Sequence, residues 1–167
     1  LLDDGEQAIG VFATRPEERN RLWKARHDAF WAAVATRPGS RGVSTDICVP
    51  ISRLAECVLE TRADMEAHGI PGTMLGHVGD GNFHAIPLVN PDDPAEVERL
   101  EAFLDRLAAR AHRAGGTCTG EHGIGQGRRR YMEAEFGLPL VGAMRAIKAA
   151  LDPLGIMNPG KTLPDPA

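Results

Sequence analysis

The chain has 167 residues, is 43% hydrophobic and 25% charged, and carries a formal net charge of -4 at pH 7. That is enough polypeptide for a hydrophobic core, and the composition is that of an ordinary globular protein. The acidic balance argues against a nucleic-acid partner, whose surface needs clustered Lys and Arg.

The one basic run, Arg128-Arg129-Arg130, reads as a solvated helix face rather than a phosphate site. Cys48, Cys57 and Cys118 are widely spaced and form no CxxC, so a reducing compartment fits better than a disulfide framework. No run is long and apolar enough to cross a membrane, and no secretion signal is visible. The opening Leu-Leu-Asp-Asp, without Met, reads as the start of a piece of a longer protein.

In chain order, residues 6–13 suit a short strand. Glu17 to Ala35 predicts a helix started at Thr14 or Pro16, with Leu22, Ala25, Ala29 and Phe30 near the helical period. Residues 37–42 are a loop by composition, and Val43 to Pro50 suits a strand. Ser52 is an N-cap candidate for a helix through Ala67, with Leu54, Cys57, Val58, Thr61 and Met65 on one face and Gly69 as its C-terminal cap.

Thr73 to His77 and Asn82 to Val89 predict two strands joined by Val-Gly-Asp-Gly, in which Asp-Gly is a strong turn signal. Asp93 caps a third helix that has Pro94 at its first position and ends near Arg113. Thr117 to Thr119 suits a short strand, Val141 to Leu151 a last helix, and the tail is irregular. This order predicts an α+β fold, a mostly antiparallel sheet covered on one face by helices.

Chemistry concentrates in two stretches, GHVGDGNFH and TGEHGIG. A hairpin about the glycine turn folds His77 and His84 towards one point, and neutral imidazole is the commonest metal ligand. The bland reading, a satisfied turn or core histidine, weighs about equally at this stage. Glu121, between glycines at a strand end, adds a carboxylate. Two imidazoles and one carboxylate suit a divalent ion such as Zn or Mn and leave a coordination position open.

His122 is then free to act as a general base. Asp80 and Asn82 read as turn residues, with orientation of a ligating histidine as a second role. His27, His68 and His112 read as structural or exposed, and Cys118 as a small buried residue. Arg26 is by default a solvated helix arginine, but a guanidinium can also clamp a carboxylate through two parallel bonds. Residue types alone leave three readings open: an oxidoreductase part, a small metallohydrolase, and a non-catalytic metal-stabilised interaction domain.

GHVGDGNFH, TGEHGIG and the terminal MNPGK together resemble the C-terminal cap domain of the FAD-linked oxidases related to vanillyl-alcohol oxidase. LWKARHDAFWA, STDICVPISRL and LDPLGIMNPGK look most like the cytochrome-type D-lactate dehydrogenase branch. The resemblance spans about Leu22 to Leu163. It implies a ferredoxin-like cap fold, with FAD bound mainly by an N-terminal domain that this chain lacks.

It further implies His77, His84 and Glu121 as metal ligands, His122 as base or substrate contact, and Arg26 as the partner of the substrate carboxylate. Asn158 is implied only as a candidate neighbour of the flavin. The implied substrate is a small 2-hydroxy acid, with cytochrome c or a quinone-linked carrier as electron acceptor. The implied setting is cytoplasmic or peripheral at the inner membrane, and mitochondrial in eukaryotic relatives.

The sequence departs from the hydroxyglutarate-type branch at three polar positions. It has Ser44-Thr45-Asp46 where that branch has a Lys before Tyr-Asp, Phe30 where it has Thr, and Ile86 where it has Asn. These departures disfavour a second substrate carboxylate and favour a small or apolar R group, as in D-lactate, with a glycolate oxidase subunit or a D-2-hydroxyglutarate dehydrogenase of the same family as the alternatives.

Overall fold

A computed structural model describes residues 13–165. The chain divides into two compact units, Leu1–Pro38 and Gly39–Ala167. The strand expected over 6–13 lies, but for its last residue, outside the described residues.

The first unit contains α1 (Pro16–Ala35). Pro16 stands where a missing N–H does no harm, and Glu17 and Glu18 oppose the positive end of the helix dipole. Of the helix, only Ala33 is fully buried, so the expected stripe of Leu22, Ala25, Ala29 and Phe30 does not form a core.

The second unit is built around a hairpin, β3 (Gly72–His77) and β4 (Asn82–Val89), paired antiparallel from Gly72 with Pro87 to His77 with Asn82. A single 3-10 turn, Val78–Asp80, joins them, and Gly81 completes it at φ 74°. A side chain at Gly81 would be strained there, and its Cβ would stand 2.1 Å from the Val49 carbonyl oxygen.

The other edge of β4 carries β1 (Arg41–Gly42) and β2 (Ile47–Cys48). This corrects the single strand expected over Val43–Pro50. Both pieces keep one register on β4, so they are halves of an interrupted strand. The Val43 N–H donates to Pro87 O, but Pro87 has no N–H to return. The Ala85 N–H donates to the Thr45 hydroxyl at 2.8 Å rather than to the Thr45 carbonyl.

Two helices cover one face. α2 (Ile51–Ala67) begins at Ile51 after Pro50, whose ring sets φ, so the expected Ser52 cap is not used. α3 (Pro94–Arg113) starts as predicted, with Asp93 accepting the N–H groups of Ala95 and Glu96. Their apolar stripes meet alternate residues of β4. Leu54, Cys57, Phe103 and Leu107 pack with Phe83, Ala85 and Val89 in one core. By the period of two along a strand, His84 points to the opposite face.

α4 (Met132–Leu151) begins nine residues before the expected Val141, and Gly137 at φ 77° breaks it. Pro139 cannot continue a helix begun upstream, so the two segments meet at that glycine. The strand expected over Thr117–Thr119 shrinks to one bridge, Thr117 with Cys48. There the Thr119 N–H turns to the Thr117 hydroxyl at 3.2 Å, a local bond that competes with the ladder. The expected α+β architecture is thus present, with a small antiparallel sheet and helices on one face.

Candidate metal centre

The sheet face turned away from α2 and α3 carries the chemistry. His77 lies directly opposite Asn82 across the hairpin, so the side chains of His77, Asn82 and His84 share that face. Asp46 stands beside His84 in the register of the interrupted strand. Glu121 and His122 arrive on an irregular loop that starts from the Cys48–Thr117 bridge.

The four predicted residues converge on one atom. Glu121 Oε1 lies 3.0 Å from His84 Nε2, 3.4 Å from His122 Nε2 and 3.7 Å from His77 Nε2. The His84 and His122 rings stack, with centroids 5.1 Å apart and planes 10° from parallel. His84 is 3% exposed, while Glu121 and His122 stand open to solvent.

The tautomer of His84 follows from its partner. Its Nδ1 lies 2.7 Å from the Thr45 carbonyl, which can only accept. Nδ1 therefore carries a proton, which leaves Nε2, the atom beside Glu121, as the nitrogen that could offer a lone pair to an ion. This is the arrangement in which a histidine ligand is held by a backbone carbonyl behind it. The donor set of two imidazole nitrogens and one carboxylate oxygen fits a divalent ion. Ligand atoms of His77, His84 and Glu121 lie within 4.8 Å of one another.

A second grouping, Asp46 with His84 and His122, is equally close. It fits less well, because the Asp46 carboxylate is already in use. A carboxylate has about four acceptor positions, and Asp46 accepts from Asn82 Nδ2, the Thr119 hydroxyl and the N–H groups of Glu121 and His122. Burial by itself would raise the Asp46 pKa. The N–H groups of His122 and Glu121 and the Asn82 amide outweigh it and hold the carboxyl at about 2.

Sequence reading missed Asp46 as a member of this site. Its one signal was the polar run Ser44-Thr45-Asp46 inside an otherwise apolar strand. Asp80 stays in the turn as predicted, whereas Asn82 is buried and bonds Asp46 and Ile47 O.

The loop is tied at its root and its far end. Glu135 on α4 accepts from His112 Nε2 at 2.8 Å and from the Cys118 N–H at 3.1 Å. This gives His112 a partner that the sequence did not reveal. Cys118 is 2% exposed, and burial beside Glu135 pushes its thiol up to about 12, so it is no nucleophile. Beyond the loop, the Thr162 N–H donates to Gly125 O at 2.7 Å, returning the MNPGK tail to TGEHGIG.

Arg128–Arg130 are not the expected helix face. Arg129 and Arg130 stand in a 3-10 turn, where Arg129 bonds Gly160 O and Asp165, and Arg130 bonds Glu101. Asn158 lies exposed in the tail at φ 47°. Arg26 lies half-buried on α1 in the first unit. A cavity of about 260 Å³ is bordered by Thr45, Asp46, Leu104, Leu107, Cys118 and Tyr131. It reaches Asp46 but none of the converging histidines, so it backs the site rather than forming it.

A family model for the C-terminal domain of FAD linked oxidases matches residues 2–162. The chain belongs to that family. A probable mitochondrial D-lactate dehydrogenase of Danio rerio is 53% identical over 153 residues, covering 92% of this chain and 31% of that protein.

A mitochondrial D-lactate dehydrogenase [cytochrome] of Arabidopsis thaliana is 42% identical over 157 residues, covering 92% and 27%. A glycolate oxidase subunit of Bacillus subtilis is 35% identical over 161 residues, covering 96% and 34%. The chain therefore spans about a third or less of the length of these relatives. No helix among the described residues is long and apolar enough to cross a membrane.

Proposed function

We propose that the chain is the substrate- and metal-binding part of an FAD-dependent D-2-hydroxy-acid dehydrogenase whose substrate is D-lactate. The observation that carries this reading is the convergence of His77, His84 and His122 on Glu121 Oε1. The relatives named as D-lactate dehydrogenases supply the substrate, and the three departures from the hydroxyglutarate-type pattern support a small R group.

His77, His84 and Glu121 would hold a Zn or Mn ion, which supplies Lewis acidity to the substrate's 2-hydroxyl. FAD, which would be held mainly outside this chain with Asn158 as its candidate contact here, would supply the acceptor for the C2 hydride. Arg26 binds the substrate carboxylate in a paired hydrogen-bonded clamp. His122 takes the hydroxyl proton at Nε2, the atom that faces Glu121. A cytochrome or a quinone-linked carrier would take the electrons onward.

Turnover of D-lactate, glycolate and D-2-hydroxyglutarate by the intact, flavin-loaded protein tests the substrate. D-lactate is expected to have the highest kcat/KM; a preference for the dicarboxylate overturns the assignment. His122→Ala should lower kcat by on the order of 10²- to 10⁴-fold with FAD and metal retained. Arg26→Ala should chiefly raise KM. Equilibrium titration with Zn(II) or Mn(II) should give one site that is lost in Glu121→Ala. Wild-type protein that takes up neither ion refutes the ligand set.

A further inference from the structure

The loop that carries Glu121 and His122 has no regular secondary structure to aim its side chains. What aims them must be a tertiary contact. Asp46 Oδ2 accepts two consecutive backbone N–H groups, from Glu121 at 2.9 Å and His122 at 2.8 Å. Two successive N–H groups on one oxygen fix the backbone between them, as in an anion-binding nest. The Thr119 hydroxyl donates to the same oxygen at 3.1 Å.

The other oxygen holds the Asn82 amide at 2.8 Å, and Asn82 is the residue directly opposite His77. The residue before Asp46 holds His84 through its carbonyl. Gly120 leaves room for this packing, since a Cβ there would meet Asn82 Nδ2 at 2.2 Å.

Asp46 is fully buried. Its four hydrogen-bond donors are all neutral groups, with His84 Nδ1 farther off at 3.8 Å, and a buried carboxylate is costly unless its acceptor positions are filled. A group kept in that state needs a reason beyond packing, and the loop it holds supplies one.

We propose that Asp46 is the positioning residue of the site: its carboxylate sets the backbone of Glu121 and His122, and so presents the one as a metal ligand and the other as a base. The proposal rests on the metal site proposed above, and two readouts keep the two separable. The first is Zn(II) affinity of the intact protein. The second is hydrogen–deuterium exchange of the peptide over residues 117–125, which needs no metal.

Asp46→Ala is expected to weaken Zn(II) binding by on the order of 10- to 100-fold and to speed exchange of that peptide, with the hairpin peptides unchanged. Asp46→Asn is expected to restore both. Its oxygen can keep the two N–H groups, and Asn82 can turn its amide to offer Oδ1, a buried atom with no hydrogen-bond partner. Asp46→Ala protein that folds, binds Zn(II) like wild type and protects the loop equally overturns the proposal.

If Asp46→Ala does not fold, wild type and Asp46→Asn decide. Slow loop exchange in both upholds the proposal, and rapid exchange in either overturns it. If wild type binds no Zn(II), the metal reading fails, and loop exchange alone decides the role of Asp46.

Discussion

Thr45 shows how one residue can serve two structures. Its hydroxyl stands in for its carbonyl in the ladder, accepting the Ala85 N–H, and the carbonyl so released holds His84 Nδ1. The break between β1 and β2 is therefore the local form of a constraint on the candidate ligand. Thr45→Val keeps the shape and removes the acceptor, leaving the buried Ala85 N–H unpaired. The expected cost is about 1–3 kcal/mol, read as a lower urea midpoint with unchanged slope. Gly120→Ala belongs to the same scale. It drives Asn82 from Asp46, so Zn(II) affinity should fall more than melting temperature does.

Among the elements, α2 and α3 are joined by a charged clamp as well as by their apolar stripes. Asp64 on α2 accepts from Arg106 Nε and Nη2 and from Arg110 Nη2, both on α3. Burial alone would raise the Asp64 pKa, but the hydrogen bonds from Arg106 and Arg110 outweigh it, and the net shift is downward.

A depressed carboxyl pKa stabilises the fold above its unfolded value, about 3.9. That stability is lost as pH falls through the folded value. The resistance of wild type to urea should therefore fall below about pH 4. Asp64→Ala should cost about 1–3 kcal/mol at neutral pH, because buried Arg110 loses one carboxylate partner and keeps only Glu60. Its stability should also vary less with pH over the acid range.

The elements themselves were legible where the signals are local. The hairpin about Asp80-Gly81 and the Asp93-Pro94 start of α3 depend on neighbours in sequence, and both formed as read. The interrupted strand, the lone Thr117 bridge and the early start of α4 were not legible. Each depends on a partner far along the chain, or on how one glycine resolves a proline.

At the scale of the molecule, the chain is a member of the FAD linked oxidase family that spans about a third or less of the relatives compared. The proposed reaction needs a hydride acceptor bound mainly outside these residues. The 167-residue chain expressed alone is therefore expected to oxidise no D-lactate with an artificial acceptor while still taking up Zn(II). Turnover by the chain alone would place the flavin site within it and overturn that division.

Residue types and short spacings determined which groups were available: two histidines about a tight turn, a Glu-His pair between glycines, an arginine on a helix. They also determined the α+β order, because periodicity and caps act over a few residues. Only the tertiary structure decided that Glu121 Oε1 meets three histidines, that Thr45 sets the tautomer of His84, and that Asp46 holds the loop. Apart from the neighbours Glu121 and His122, those contacts, with that of Asp46 to Asn82, join residues 36 to 76 positions apart. The physical reason is that a buried carboxylate or carbonyl takes whichever donors the folded chain brings within about 3 Å, and no local pattern encodes which ones arrive.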